Sequence, residues 1–475
     1  MPFAIGGNQL DTGYEVSNSA RMNNSENFTK TISSTTSRNT FTISTWLKRS
    51  STSGNGGIFG VGTASSDTGR FFLRFTSSDK LAATGGATNF RISNAVFRDV
   101  SAFYHIVCVF DSTNGTAQNR LRLYVNGVEI TSWSSNNTVN SSQNTPVNEF
   151  GKTHVVGGDG DNSSAKFSGY LAEFNFIDGQ AKAPTDFGEF NDNGVWIPKK
   201  YDGTYTNNSF FLEFQNSGSL GNDTSGLGNN YTANNFNTVD QTTDTPTNNF
   251  ATFNPLIAHL DAGGNSTLPT YSEGNTKTVT PNSGKLAGSS TIMKSRGKWY
   301  AEFKFVATNN AGSTITSAIG ITDSPQRLAA QFGKPGERSD GVAYINTGSK
   351  LIGDSQTSFG NSYTTGDIIG VALDLDNNAI YFSKNGTFQN SGDPTSGSSK
   401  TNAISVTDPS STVEGGYFFA VGEATSETST FEANFGNAPF TISSGNSDAE
   451  GHGNFEYAVP SGYFALCTKN LAEYG

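Results

Sequence analysis

The chain has 475 residues, of which 34% are hydrophobic and 15% charged, with a formal net charge of −11. The length exceeds what one core serves and predicts roughly two to four domains. The acid excess, with no basic stripe, excludes a surface built to neutralise phosphates, so no nucleic-acid partner is expected.

The 54 Gly among abundant Asn, Ser and Thr point to many short strands joined by turns. The 36 Phe and 16 Tyr at strand spacing argue against disorder, since disordered chains are poor in aromatics.

Residues 1–17, beginning "MPFAIGGNQLDTGYE", have no basic stretch followed by an apolar run. They are read as a docking or frayed segment and not as a signal peptide. No run approaches the roughly 20 apolar residues of a membrane span, so membrane insertion is not expected.

Residues 18–238 carry strand signals in "FTISTWLKRS", "GRFFLRF", "FYHIVCVFD", "FSGYLAEFNFIDG" and "SFFLEFQNSG". In "RLRLYVNGVEITSW", Leu121, Leu123 and Val125 share one face, and Asn126-Gly127 supplies a primed hairpin turn. Cys108 shares a strand face with Ile106 and Phe110 and reads as a small buried hydrophobe, not a ligand.

Residues 239–267 read as a polar linker. Residues 268–475 repeat the pattern in "GKWYAEFKFVA", "SAIGIT", "GDIIGVALDLDN", a second hairpin at Asn385-Gly386, "GGYFFAVGEA" and "TFEANFG". A short helix is expected at "SPQRLAAQFG", where Ser324 caps, Pro325 suits the first turn and Gly333 stops it. "GYFALCT" is expected as a last strand. The predicted fold is all-β: two antiparallel β-sandwiches joined by a polar linker.

Catalytic patterns are absent from the sequence: no G-x-S-x-G, no H-E-x-x-H and no paired C-x-x-C. His105, His154, His259 and His452 are scattered. Glu173, Glu213, Glu302 and Glu432 sit among strand phenylalanines, but none has a second acid two or four residues along its own strand. They read as solvated residues alternating with buried Phe, and no enzyme is expected. "GGDGDN" offers Asp159, Asp161 and Asn162, three oxygen ligands in a Gly-rich loop, as a calcium candidate; no other cofactor is expected. Candidate contact loops, chosen as long and polar, are 51–57, 136–148, 157–164 and 333–340.

In order and spacing, "FTISTWLKRS", "FYHIVCVFD", "LRLYVNGVEI", "HVVGGDG" and "FSGYLAEFNFIDGQAKAPTDFGEF" resemble a laminin-G-like, concanavalin-like jelly roll. "GKWYAEFKF", "SAIGITD", "YTTGDIIGVALDLDNNAIYFSKNG" and "FEANFGNAPF" resemble a SPRY domain. The pair looks like bacteriophage virion structural proteins, of the fibre or appendage type. That resemblance implies a tail or head fibre whose loops attach to a host-surface glycan or receptor, or contact other virion proteins. The alternatives are a purely architectural capsid decoration or tail-assembly component, and a glycan depolymerase. It also implies location in the virion, synthesis in the host cytoplasm and a homo-oligomer, for which a trimer is one fitting form.

Overall fold

The computed structural model describes residues 13–52, 54–160, 165–257, 269–280, 286–308, 317–325, 334–339, 341–423 and 428–475. These fall into two compact units, Leu10–Asn249 and Phe250–Gly475. Among the described residues the architecture is all-β, built from antiparallel sheets.

In the first unit, one eight-stranded sheet runs Val128–Glu129, Leu121–Val125, Tyr104–Asp111, Thr40–Arg49, Ser168–Asp178, Ser19–Asn23 and Gln241–Thr242, with Phe210–Leu212 also paired to Ser168–Asp178. The other runs Trp133–Asn136, Arg91–Val96, Lys80–Gly85, Phe71–Phe75, Gly56–Val61, Thr153–Val156, Asn27–Thr31 and Thr232–Asn234. Alternation along each strand sends Phe41, Ile43 and Leu47 inward to meet Phe59, Phe71 and Leu73. Phe41 stacks on Phe110 at 5.1 Å and meets Phe71 edge-on at 5.1 Å. Each such buried ring contributes about 1.5–3 kcal/mol over exposure. Cys108 is in this core, as its strand position predicts, and both cysteines are free.

The outer face of the first sheet is not left to water. Lys48 is buried there, its ammonium donating to Asp244 and, at 2.8 Å, to Asn249, with the Tyr170 ring 4.7 Å and the Phe103 ring 5.4 Å away. Burial lowers its pKa and Asp244 offsets part of that. Residues 239–249, expected as the start of a linker, are thus built into the unit: Gln241–Thr242 extends the sheet and Asp240 lies 3.8 Å from buried Arg21. A polar sequence without periodicity conceals this, because it is side-chain hydrogen bonding and not apolar alternation that fixes these residues.

Of the N-terminal segment, residues 1–12 lie outside the described residues. Val16 is buried, and its backbone N–H donates to Thr247 at 3.1 Å.

The second unit stacks a nine-stranded sheet on a six-stranded one. The first is centred on Lys298–Thr308, Ile368–Asp374 and Ser429–Asn434, the second on Ser317–Thr322 and Phe418–Glu423. Phe303, Phe419, Phe431 and Phe435 fill the space between. In the second hairpin Ile380 and Phe382 face this core, whereas Tyr381 joins a separate outer cluster with Tyr300, Phe455 and Tyr463. Both faces of that strand are buried, where a half-solvated strand was expected.

The expected last strand is shorter than predicted. Only Phe464–Ala465 pairs, in parallel with Lys298–Thr308, and Thr468–Tyr474 is a helix. Leu, Ala, Glu and Lys favour that state, and Asn470 inside it donates to Asp448 at 2.7 Å. The helix expected at 324–333 falls on 326–333, outside the described residues, while Ser324 donates to Glu414 at 3.0 Å.

Candidate functional site

The described parts of two of the four sequence-chosen loops, 51–57 and 157–164, meet over the outer face of the first unit's second sheet. Gly57 donates to the carbonyl of Ala165 at 2.7 Å, and Gly62 bridges to Gly160. Glycine is required here: a Cβ on Gly60 would come within 2.7 Å of the Asp159 backbone, and one on Gly57 within 2.5 Å of the Ala165 oxygen. Residues 158–160 therefore lie against the outer face of the strand Gly56–Val61.

Beside it, Phe71–Phe75 turns Phe71, Leu73 and Phe75 inward and Phe72 and Arg74 outward. The guanidinium carbons of Arg70 and Arg74 lie 5.2 and 5.3 Å from the Phe72 ring centre. Arg74 donates to Asn55 at 2.6 Å, and Arg70 faces Asp159 at 3.9 Å. Burial, then the neighbouring charge of Arg70, lowers the pKa of Arg74, and Asp159 opposes both. The Nε atoms of both arginines are buried without a hydrogen-bond partner among the described residues.

Of the calcium candidates, Asp159 is buried here with its carboxylate toward a guanidinium, while Asp161 and Asn162 lie outside the described residues. Among the described residues no three His, Cys, Asp or Glu side chains converge as a metal site. Asp159 is answered by arginine, so the described residues do not make a calcium cage.

The other two loops differ. In 136–148, Val139, Thr145, Val147 and Asn148 are buried, and Asn148 donates to Asp178 at 2.8 Å. Of 333–340, the described Lys334 pairs with Glu337 at 2.7 Å.

The described core histidines are structural. The Trp196 indole N–H, which can only donate, reaches His105 Nδ1 at 3.0 Å. The proton of His105 is therefore on Nε2 and is donated to Ser44 Oγ at 2.8 Å, the wrong direction for a base acting on serine. His105 stacks on Trp46 at 4.7 Å, and burial pulls its pKa down to about 3. His154 accepts from the Asn148 backbone at 3.1 Å, lies 3.2 Å from the Tyr231 hydroxyl and is likewise lowered to about 3 by burial. His259 lies outside the described residues. His452 donates its backbone N–H to Asp448 at 2.8 Å.

The strand glutamates correct the sequence reading. Glu302 is wholly buried and Glu173 and Glu432 nearly so; none of the three is a solvated face residue. Glu302 accepts from the backbone of Glu456 at 2.9 Å and Tyr457 at 2.8 Å, from Asn434 at 3.1 Å and from Tyr300 at 3.3 Å. Burial nonetheless raises it to about 7.

Glu173 sits at φ 51° in a bulge where the pairing with Thr40–Arg49 slips. Burial, then the charge of Glu213, raises it to about 7, opposed by a 2.6 Å hydrogen bond from the Tyr14 hydroxyl. Glu213 follows Leu212, which pairs with Phe174, so the two acids come together across strands. A search along single strands misses that pairing.

The family of concanavalin A-like lectins/glucanases (laminin G type) matches residues 23–184, and the SPRY domain family matches residues 298–401. No curated protein matches the chain. Among solved structures, the SPRY domain of human HERC1 is 16% identical with a TM-score of 0.25, over 38% of this chain and 96% of that one. The heptameric SAP-like pentraxin of Limulus polyphemus is 15% identical with a TM-score of 0.25, over 36% of this chain and 80% of that one. At such values these likenesses carry no functional argument. The chain carries a concanavalin-like and a SPRY domain.

Proposed function

We propose that this is a non-catalytic binding protein whose concanavalin-like unit takes a glycan at the rim of Arg70, Phe72 and Arg74. One observation carries the reading. Inside the span matched by the lectin-type family, two guanidinium groups flank an aromatic ring beside two converging loops, with donors left over. Polar groups fixed on a rigid strand next to loops are the usual construction of a ligand site.

The finer reading is a phage virion appendage, a tail or head fibre that presents this rim to a host surface while other faces meet virion proteins or further copies of the chain. It rests on the resemblance, read in the sequence, of this pair of modules to such appendages. The purely architectural alternative predicts no ligand. A labelled full chain incubated with host cells tests the first reading: saturable binding, competed by host surface polysaccharide, supports it, and no retention on any host surface refutes it. Antibody labelling of intact particles tests the second, which falls if no label is found.

Glu173 with Glu213 favours one other reading, glycan cleavage by a pair of acids of which Glu173 is raised to about 7 by burial. Against it, the Tyr14 hydroxyl occupies the Glu173 carboxylate. Glu173→Gln should leave the length of a polysaccharide exposed to the chain the same as wild type does.

A further inference from the structure

We infer that the Arg70–Phe72–Arg74 face selects an acidic sugar, holding its carboxylate or sulfate; this rests on the glycan-binding reading above. A guanidinium carries five N–H donors in a fixed fork. Across both groups, the hydrogen bond from Arg74 to Asn55 is the one acceptor contact among the described residues, and Arg70 meets Asp159 only at 3.9 Å. Both Nε donors are buried out of a ligand's reach, so it is the terminal N–H groups of the two forks, one of them engaged by Asn55, that are left to meet an oxyanion.

Charge points the same way. Two cations share one described carboxylate, a local positive excess in a chain of net charge −11. That like-charge neighbour contributes to the lowered pKa of Arg74, and a bound anion would reverse the effect.

Geometry supplies the third reason. Both guanidinium groups lie over buried Phe72, which places them before a ligand arrives, and the Arg70 side chain keeps 33% of its surface open to solvent. A preorganised planar fork is matched to carboxylate or sulfate and wasted on a neutral hydroxyl. Two cations are too few to track a nucleic-acid backbone, whose affinity grows with each phosphate neutralised.

The test is calorimetric titration of the full chain with three length-matched oligosaccharide series, neutral, uronate-bearing and sulfated, and with a single-stranded DNA of equal charge. A charged series should bind about tenfold or more tighter than the neutral one. Arg74→Gln and, separately, Arg70→Gln should remove most of that preference and flatten its salt dependence, with Arg74→Lys intermediate and the fold unchanged by circular dichroism. Confinement to uronates assigns a carboxylate, and confinement to sulfated sugars a sulfate; both support the inference. Equal binding of neutral sugars, or no effect of either Gln variant, overturns it and leaves glycan binding standing. DNA binding as tight as that of the charged sugars also overturns it. Failure of every glycan series removes the glycan reading itself.

Discussion

The buried ionisable side chains give the first unit a signed pH dependence. Unfolded, His105 and His154 take up protons near pH 6.5; folded, each stays neutral down to about 3. Their contribution is present above about 6.5 and is lost as pH falls through that window. Glu173 runs the other way. Held to about 7 when folded, it keeps a proton the unfolded chain releases near 4.3, so its contribution is lost as pH rises through that window. Burial also raises Asp178 and Asp240, which act in the same direction as Glu173; the larger shifts of the two histidines set the sign, so the urea midpoint followed by tryptophan fluorescence should fall on acidification below pH 6.5. A flat or rising midpoint contradicts the neutral-histidine assignment. In the second unit Glu302 faces four donors. Glu302→Gln turns an amide N–H toward other N–H groups and should cost about 1–3 kcal/mol in urea unfolding; an unchanged midpoint contradicts the network. The sequence showed the glutamates alternating with Phe but not what covers the other face, and that cover decides their protonation.

At the scale of elements, both Asn-Gly hairpins form where the sequence places them. Asn126 and Gly127 adopt φ 49° and 77°, and Asn385 and Gly386 adopt 48° and 80°. The turn was legible because two successive positive φ values admit few residue pairs. What packs on it was not: a Cβ on Gly127 would lie 2.5 Å from the Trp196 ring, and one on Gly386 2.6 Å from Tyr457. Gly127→Ala therefore meets strain and overlap together and should destabilise by about 1–3 kcal/mol. Gly115, with nothing within 4 Å of its Cβ position, is the control, and Gly115→Ala should be neutral. Equal midpoints for the two variants would count against the packing described. The rim site was half legible: loop polarity picked out 51–57 and 157–164, while Arg70 and Arg74 gave no signal, because strand register alone brings them to Asp159.

At the scale of the molecule, the division falls at Asn249, ten residues beyond the point where composition turns polar. Composition misplaces the boundary because Asp244 and Asn249 are recruited as partners for buried Lys48. Asp244→Ala should leave an uncompensated buried ammonium and cost about 3–5 kcal/mol, whereas the exposed Asp192→Ala should cost little. A free linker would make the two variants alike, and thermal melting distinguishes them. Each unit has a core of its own; in the first, the two described histidines are locked in structural tautomers and the bulged glutamate is capped by tyrosine, an arrangement that fits the proposed role of holding a ligand without cleaving it. The most direct test of that claim follows binding and polymer length together, by titrating the full chain with host polysaccharide and sizing the polymer afterwards. The account predicts saturable binding with the length distribution unchanged; shortened polymer, or no binding at all, would contradict it.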